Sequence, residues 1–215
     1  MNVTLSDYLI TFDNVLEKEF CEHVCERMKN DKRKSIGVVG RAKDVNTKVK
    51  NSIDLHISPL ADWKEEDNVF FKSLSEKKDE YMPRVEENTG INKEFLLGHS
   101  YAYGLPDDVW SDTGYQVKEY TPGGRYNWHH DYTIEAREGP RILTYIWYLN
   151  TDFDGGETEF IDGTIIKPEV GKMLIFPANW LFVHRGKLVS NGHKYITTGW
   201  FHHQHPTIPK MYTNG

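Results

Sequence analysis

The sequence predicts a mainly β protein with flanking α-helices: a jelly roll of eight strands with N-terminal helices packed outside it. From residue 115 onward, short runs of β-forming residues alternate with turn-forming segments such as TPGG, DGGE and IDGT. Earlier in the chain, two stretches repeat apolar residues at helical spacing. The length of 215 residues is one that all-β folds often use as a single domain. We therefore predict one domain, with a support region over 1–114 and a jelly-roll core over 115–205.

The support region begins with a predicted short strand over 7–12 and contains two predicted helices. The first helix covers 16–30, where apolar residues recur every four positions between charged ones. The second covers 64–89, and Gly90 is a plausible stop signal for it. Because proline lacks the amide proton that an interior helical residue donates, we expect Pro83 to break or bend this second helix.

The remaining strands are expected where β-rich runs lie between turn signals. Residues 36–57 predict two strands around a polar loop. The eight core strands are predicted over 115–120, 125–132, 141–149, 157–161, 164–167, 172–177, 182–189 and 194–202.

Composition excludes several classes of function. The net charge of −6 gives no indication of nucleic-acid or anionic-membrane binding. No segment reaches the roughly 18 consecutive apolar residues of a membrane span, and the N-terminus does not resemble a signal peptide. Cys21 and Cys25 lie four apart in the first predicted helix, which favours two thiols in a reducing, cytoplasmic compartment.

The segment YNWHHDY places two histidines directly before an aspartate. If the segment is a strand, side chains alternate between faces, so His129 and Asp131 share one face and His130 points to the other. With a distant histidine such as His184, the pair would complete the facial triad of non-haem Fe(II) oxygenases. A His-x-Asp pair also arises by chance on protein surfaces, and the same three ligands with an open position could hold zinc in a hydrolase.

A lysine opens the last predicted strand, KYITTGWFH. Lys194, Ile196, Thr198 and Trp200 share one face of that strand by alternation. An inward lysine in an apolar row is costly unless an anion pairs with it, and a dicarboxylate co-substrate would be such an anion. The alternative is a lysine at a sheet edge that points to water.

These motifs together resemble the prolyl 4-hydroxylase group of Fe(II)/2-oxoglutarate dioxygenases, whose fold is a double-stranded β-helix. The resemblance covers roughly 115–202 through VKEYTPGGRYNWHHDY, RILTYIWYLNTDFDGGETEF, IKPEVGKMLIFPA and HRGKLVSNGHKYITTGW. The earlier segment FDNVLEKEFCEHV is similar to the leading strand and helix of the family.

The resemblance implies a role for each residue of the metal motif and for the lysine. It implies His129, Asp131 and His184 as catalytic iron ligands and leaves the middle histidine of YNWHHDY variable. It also implies that Lys194 holds the far carboxylate of 2-oxoglutarate and that the hydroxyl of Tyr148 reaches the same carboxylate.

Four further positions match the family pattern less specifically. Tyr120 and Thr198 match positions that line the co-substrate pocket. Arg141 matches an arginine near the substrate mouth, although a surface ion pair would explain it equally well. Trp200 matches a wall of the iron site, although it could be an ordinary core tryptophan. Tyr120 and Tyr148 could likewise be ordinary core residues.

The implied activity is hydroxylation of an unactivated C–H bond, most simply in a peptidyl proline. The resemblance implies Fe(II), 2-oxoglutarate and O2, gives succinate and CO2 as co-products, and allows ascorbate as a reductant. Its partner would be a proline-containing peptide or protein. The loop over 38–50 lies where relatives carry a flexible substrate lid, although an ordinary polar loop would explain it equally well. Three alternatives stay open: the same chemistry on a non-proline substrate, a zinc hydrolase, and a non-catalytic jelly-roll metal-binding module.

Overall fold

Two antiparallel sheets face each other in the computed structural model, which describes residues 3–40, 44–90, 110–135 and 139–203. The helices are α1 (Lys18–Asn30) and α2 (Lys64–Thr89), with short 3-10 helices at Leu5–Tyr8 and Ala61–Trp63. The strands are β1 (Ile10–Phe12), β2 (Ser35–Ile36), β3 (Lys50–Asn51), β4 (Ile53–His56), β5 (Trp110–Asp112), β6 (Gln116–Tyr120), β7 (Arg125–His129), β8 (Ile134–Glu135), β9 (Gly139–Tyr148), β10 (Phe153–Gly155), β11 (Thr158–Phe160), β12 (Ile165–Ile166), β13 (Met173–Pro177), β14 (His184–Gly186), β15 (Val189–Gly192) and β16 (Lys194–His203).

Eight of these strands form the predicted jelly roll. The centre of the large sheet has the order β13-β9-β16-β6, and the facing small sheet has the order β12-β11-β14-β7. Strands from the support region extend both sheets, because β1 pairs with β13, β4 pairs with β6, and β3 pairs with β7. The mainly β fold with eight core strands is thus confirmed.

The two faces of the large sheet serve different cores. On one face, Tyr145 and Trp147 of β9 pack in a cluster with α1 and α2 residues such as Phe70. On the other face, Ile146 and Tyr148 of the same strand pack toward the small sheet. This alternation follows from the two-residue period of a strand, and it places both helices outside the jelly roll, as predicted.

Helix α2 differs from the expectation at one point. It runs without interruption from Lys64 to Thr89, although Pro83 lies inside it. The expectation that Pro83 could break the helix is therefore wrong. Tyr81 and Val85 on either side of the proline are both buried in the cluster beneath the large sheet, and this packing holds the helix together. Gly90 ends the helix with a left-handed backbone at φ 65°, which confirms the predicted stop.

Two predicted strands are divided in the structure. The predicted strand 7–12 is a 3-10 turn followed by β1, because the Asp7 carboxylate accepts a 2.7 Å hydrogen bond from the Thr4 amide and turns the chain. The predicted strand 182–189 is also divided, because β14 pairs with β7 and β11 whereas β15 pairs with β10. Among the described helices, none combines the length and apolar character needed to cross a membrane.

Candidate functional site

The two predicted histidine ligands are brought together by strand pairing in the small sheet. His129 is the last residue of β7 and His184 the first of β14, and the two are directly opposite in the antiparallel register. Asp131 follows two residues after the end of β7. One ligand atom from each of the three residues lies within 4.8 Å of the others.

Hydrogen bonds to the backbone orient both imidazoles. The Nδ1 atoms of His129 and His184 lie 2.8 Å from the Asn127 carbonyl and 3.0 Å from the Phe182 carbonyl. Because a carbonyl only accepts, each Nδ1 carries a proton, and in the neutral ring this leaves the lone pair of Nε2 available to a metal. The two Nε2 atoms face the Asp131 carboxylate at 3.6 and 3.7 Å, so all three donor groups converge.

Electrostatics keep His129 and Asp131 in the states that bind a metal. Burial lowers the pKa of His129, and the neighbouring His184 lowers it further, so the imidazole is neutral. Burial alone would raise the pKa of Asp131, but the adjacent His184 and His129 and a 2.8 Å hydrogen bond from the Thr144 hydroxyl hold that pKa below its ordinary value. Two imidazoles and one carboxylate are the donor set of an Fe(II) facial triad.

The middle histidine of the motif points away from the site. His130 is exposed, whereas Asp131 is buried. The predicted strand 125–132 is too long, because β7 ends at His129, where its pairing with β14 also ends. The alternation nevertheless extends through these two residues and gives the predicted orientation.

The predicted lysine is buried beside the triad. Lys194 is 3% exposed, and its ammonium donates a 2.5 Å hydrogen bond to the Gly156 carbonyl. Burial lowers its pKa to about 8, although the charge of Glu157 opposes this. Within the described ranges, no carboxylate lies within ion-pair distance of this ammonium, so the pocket fits an anion at this end. The alternative of an edge lysine that points to water is wrong.

Two tyrosines flank this lysine, and the ring centres of Tyr120 and Tyr148 lie 5.3 and 5.8 Å from its ammonium. Tyr120 lines the pocket, while the hydroxyl of the fully buried Tyr148 makes a 2.7 Å hydrogen bond with the Thr158 hydroxyl. The Thr198 hydroxyl donates to the Tyr145 carbonyl at 2.8 Å, although its side chain also lines the pocket. Their roles toward a co-substrate stay predictions.

The two predicted substrate-binding residues lie together at the other end of the pocket. Trp200 is 8% exposed and lines the pocket. The guanidinium carbon of the half-buried Arg141 lies 3.7 Å from the centre of the Trp200 ring, a cation–π contact. The structure therefore places Arg141 against the pocket wall, and its contact with a substrate stays a prediction.

Three polar or aromatic residues of the site were not predicted from the sequence. Lys118 lines the pocket and is 4% exposed, Tyr126 stacks on His129 with ring centres 3.5 Å apart, and Thr144 holds Asp131. Alternation along β6 could have found Lys118, because it lies two residues before Tyr120 and shares its face.

The pocket lies between the two sheets, and its lining residues come from both. They are Lys118, Tyr120, Tyr126, His129, Asp131, Thr144, Ile146, Thr158, His184, Gly186, Lys194, Ile196, Thr198 and Trp200.

Comparison with known sequences identifies relatives of the core region. Residues 115–202 match the 2OG-Fe(II) oxygenase superfamily. A protein of Acanthamoeba polyphaga mimivirus, described as a prolyl 4-hydroxylase, is 33% identical over 135 residues. That match covers 54% of this chain and 55% of the relative, so the chain spans about half the length of this curated relative.

Solved structures share the fold at low sequence identity. The viral collagen prolyl hydroxylase of Paramecium bursaria Chlorella virus-1, in its 2OG complex, has a TM-score of 0.55 at 21% identity, covering 91% of this chain and 96% of that one. A Trichoplax adhaerens prolyl hydroxylase, in complex with a hypoxia inducible factor oxygen degradation domain peptide fragment, has a TM-score of 0.67 at 17% identity, covering 92% and 84%.

Proposed function

We propose that the chain belongs to the prolyl 4-hydroxylase family of 2OG-Fe(II) oxygenases and that it hydroxylates an unactivated C–H bond, consuming 2-oxoglutarate and O2 and releasing succinate and CO2. The observation that carries the proposal is the convergence of His129, Asp131 and His184 beside a buried, unneutralised lysine. When bound, Fe(II) and the electrons that 2-oxoglutarate gives up would activate O2, which is the oxidant, and ascorbate would serve only as a reductant.

The chain's own residues supply binding and orientation. His129, Asp131 and His184 would hold Fe(II), and the backbone carbonyls and Thr144 that bind them fix their directions before the metal arrives. Lys194 would pair with the far carboxylate of 2-oxoglutarate, and the resulting ion pair would offset the cost of its burial. Ile146, Ile196 and Trp200 supply the apolar part of the pocket wall beside these groups.

The proposed substrate is a proline residue in a peptide or protein. Two findings support a proline substrate. Relatives of the chain are described as prolyl 4-hydroxylases, and the Trichoplax adhaerens enzyme is in complex with a peptide fragment. The aromatic residues Tyr126 and Trp200 on the pocket wall suit the apolar ring of proline. The same chemistry on another residue is the second candidate.

The test combines co-substrate consumption with mass spectrometry on a panel of proline-containing peptides. We expect Fe(II)-dependent succinate formation that rises with peptide and a gain of one oxygen atom on proline. A gain on another residue would replace proline as the substrate. Hydrolysis supported by zinc, or metal binding without any turnover, would favour the zinc hydrolase or the binding module.

We also propose that residues 38–50 close over a bound peptide. Residues 41–43 lie outside the described part of the chain. On either side of them, Val39 and Asp44 exchange two backbone hydrogen bonds of 2.9 and 3.0 Å, and Lys50 enters β3 beside β7. A proline-rich peptide should therefore slow proteolysis within 38–50, and unchanged cleavage would contradict the lid.

A further inference from the structure

The pocket contains a second buried ammonium group for which the proposed function has no use. Lys118 on β6 is 4% exposed and lines the pocket, with its Nζ atom 5.6 Å from the centre of the Trp200 ring. In the part of the chain that the structure describes, no atom is within hydrogen-bond or ion-pair distance of this ammonium. A buried ammonium directed into a pocket without a partner is costly, so it is a candidate for binding an anion.

The two nearest acidic groups are engaged elsewhere. The Asp54 carboxylate accepts hydrogen bonds from Lys50 Nζ at 2.5 Å and from the Ser52 hydroxyl at 2.7 Å. Asp131 accepts a hydrogen bond from Thr144 and faces the two histidines of the triad. Both acids attract Lys118 from a distance, but burial, reinforced by the charge of Lys50, still lowers its pKa to about 7.

With Fe(II) and 2-oxoglutarate bound, the other charges of the site would cancel and leave the charge of Lys118 without a counterion. The divalent metal with Asp131, together with the 2-oxoglutarate dianion and Lys194, gives no net charge. Lys118 then remains as an uncompensated positive charge on the pocket wall. Burial makes such a charge unfavourable until a second anion enters.

The position of Lys118 separates it from the co-substrate lysine. In the register of β6 with β16, Tyr120 is opposite Lys194 and Lys118 is opposite Ile196. Lys118 is therefore two cross-strand pairs farther along the sheet, on the same face, toward Trp200. The Trp200 ring contacts both the Lys118 ammonium and the Arg141 guanidinium. Arg141 therefore adds positive charge to the Trp200 end of the pocket.

We propose that Lys118 is a specificity-determining residue. It binds a carboxylate of the substrate that lies close in space to the carbon that is hydroxylated. This inference rests on the proposed function and narrows its substrate class. The carboxylate has two sources, either an acidic side chain that flanks the proline or the free carboxyl group of a terminal or free proline.

Two matched pairs of probes distinguish these sources. The first pair is N-acetylproline and N-acetylprolinamide, and the second is a pair of capped peptides with glutamate or glutamine beside the proline. Calorimetric titration of the enzyme with saturating 2-oxoglutarate, and with Mn(II) in place of Fe(II), gives affinities without turnover. We expect the acid of at least one pair to bind about 30-fold or more tightly than its amide, because a buried charge is left unpaired by the amide.

The variant Lys118→Met should abolish this preference, while Lys72→Met on the exposed face of α2 should keep it. Equal affinity of acid and amide in both pairs for the wild-type enzyme, including no measurable binding, would overturn the inference. A preference that survives in Lys118→Met would overturn it as well.

Two further readouts separate this inference from its premises. Oxidation of proline at equal kcat/KM in the acid and the amide of both probe pairs would support the proposed function and overturn the role of Lys118. Binding preference for a carboxylate without oxidation of any peptide would keep the role of Lys118 and overturn the proline activity. Lys118→Met should melt no lower than the wild type, because it replaces an unpaired buried charge, and a large fall in Tm would assign Lys118 to the fold instead.

Discussion

At the scale of single residues, metal binding would depend on three side chains that approach from two strands and a loop. We expect His129→Ala, Asp131→Ala or His184→Ala each to remove iron binding or nearly all turnover, because each supplies one of the three converging donors. His130→Ala should retain iron, since that side chain is exposed. Iron content of the purified variants decides the matter, and loss of iron in His130→Ala alone would mean that the motif is displaced by one residue.

The co-substrate should depend on Lys194 far more than the metal does. Lys194→Ala would leave a partly buried carboxylate unpaired, which costs about 2–5 kcal/mol, or roughly 30- to several-thousand-fold in 2-oxoglutarate affinity. Lys194→Arg should keep some activity because it keeps the charge. Tyr148→Phe should cost only about 2- to 10-fold, because it removes one neutral hydrogen bond.

Titration of 2-oxoglutarate alongside iron analysis measures these effects. Wild-type affinity in Lys194→Ala would contradict the assignment of that lysine and reopen the zinc and binding-module alternatives.

The site could be predicted where side-chain alternation and residue chemistry agree. His129 and Asp131 stand out as two ligating groups on one face of a predicted strand, and Lys194 stands out as a charged group in a largely apolar row. Tyr126 and Thr144 could not be predicted as site residues, because tyrosine and threonine are common in strands and their partners are distant in the chain. Only three-dimensional placement shows which of them contact a ligand residue.

At the scale of elements, helix α2 is held to the large sheet by its apolar side. Phe70 is fully buried and contacts Tyr115 and Trp147, whereas the adjacent Phe71 is 57% exposed. We expect Phe70→Ala to lower the free energy of unfolding by about 3–5 kcal/mol. Phe71→Ala is the matched control and should change it by no more than about 0.5 kcal/mol. Urea denaturation measures both, and equal effects would contradict the packing described for α2.

An ion pair joins α1 to α2 and should make stability depend on pH. The buried Glu66 carboxylate accepts a 2.6 Å hydrogen bond from Arg27. Burial alone would raise the pKa of Glu66, but Arg27 and His23 outweigh it and lower the pKa below the ordinary value of 4.5. Because the folded pKa lies below the unfolded one, the stabilisation is complete above about pH 5 and is lost as the pH falls toward the folded pKa.

The variant Glu66→Gln tests this linkage. It should be less stable than the wild type at neutral pH, and its unfolding free energy should fall less steeply below about pH 5. Unfolding curves at a series of pH values provide the measurement. An identical slope in the two proteins would show that Glu66 does not contribute to acid sensitivity.

The sequence predicted the existence of elements better than their ends. Helix α2 continues through Pro83 because the residues around the proline are buried by tertiary packing. Local helix propensity contains no information about that packing. The division between β14 and β15 depends on which partner each strand finds, and that information lies in residues distant in sequence. Both differences therefore arise from non-local contacts.

At the scale of the whole molecule, one face of the large sheet packs against the helices and the other face lines the pocket. Alternate residues of β9 and β16 face either the helices or the pocket. A substitution on the helix side can thus change folding stability while the pocket-lining residues stay the same. An insertion of one residue in either strand would exchange the two sets and damage both.

The direct opposition of His129 and His184 across β7 and β14 has a consequence for exchange of backbone amides with solvent. A metal held by both residues would act as a clamp across two short strands of the small sheet. In contrast, β9 and β16 lie inside the large sheet with partners on both sides. Chelation should therefore accelerate deuterium uptake in β7 and β14 and leave β9 and β16 nearly unchanged. Uniform acceleration across all four strands would instead mean that the metal stabilises the molecule as a single cooperative unit.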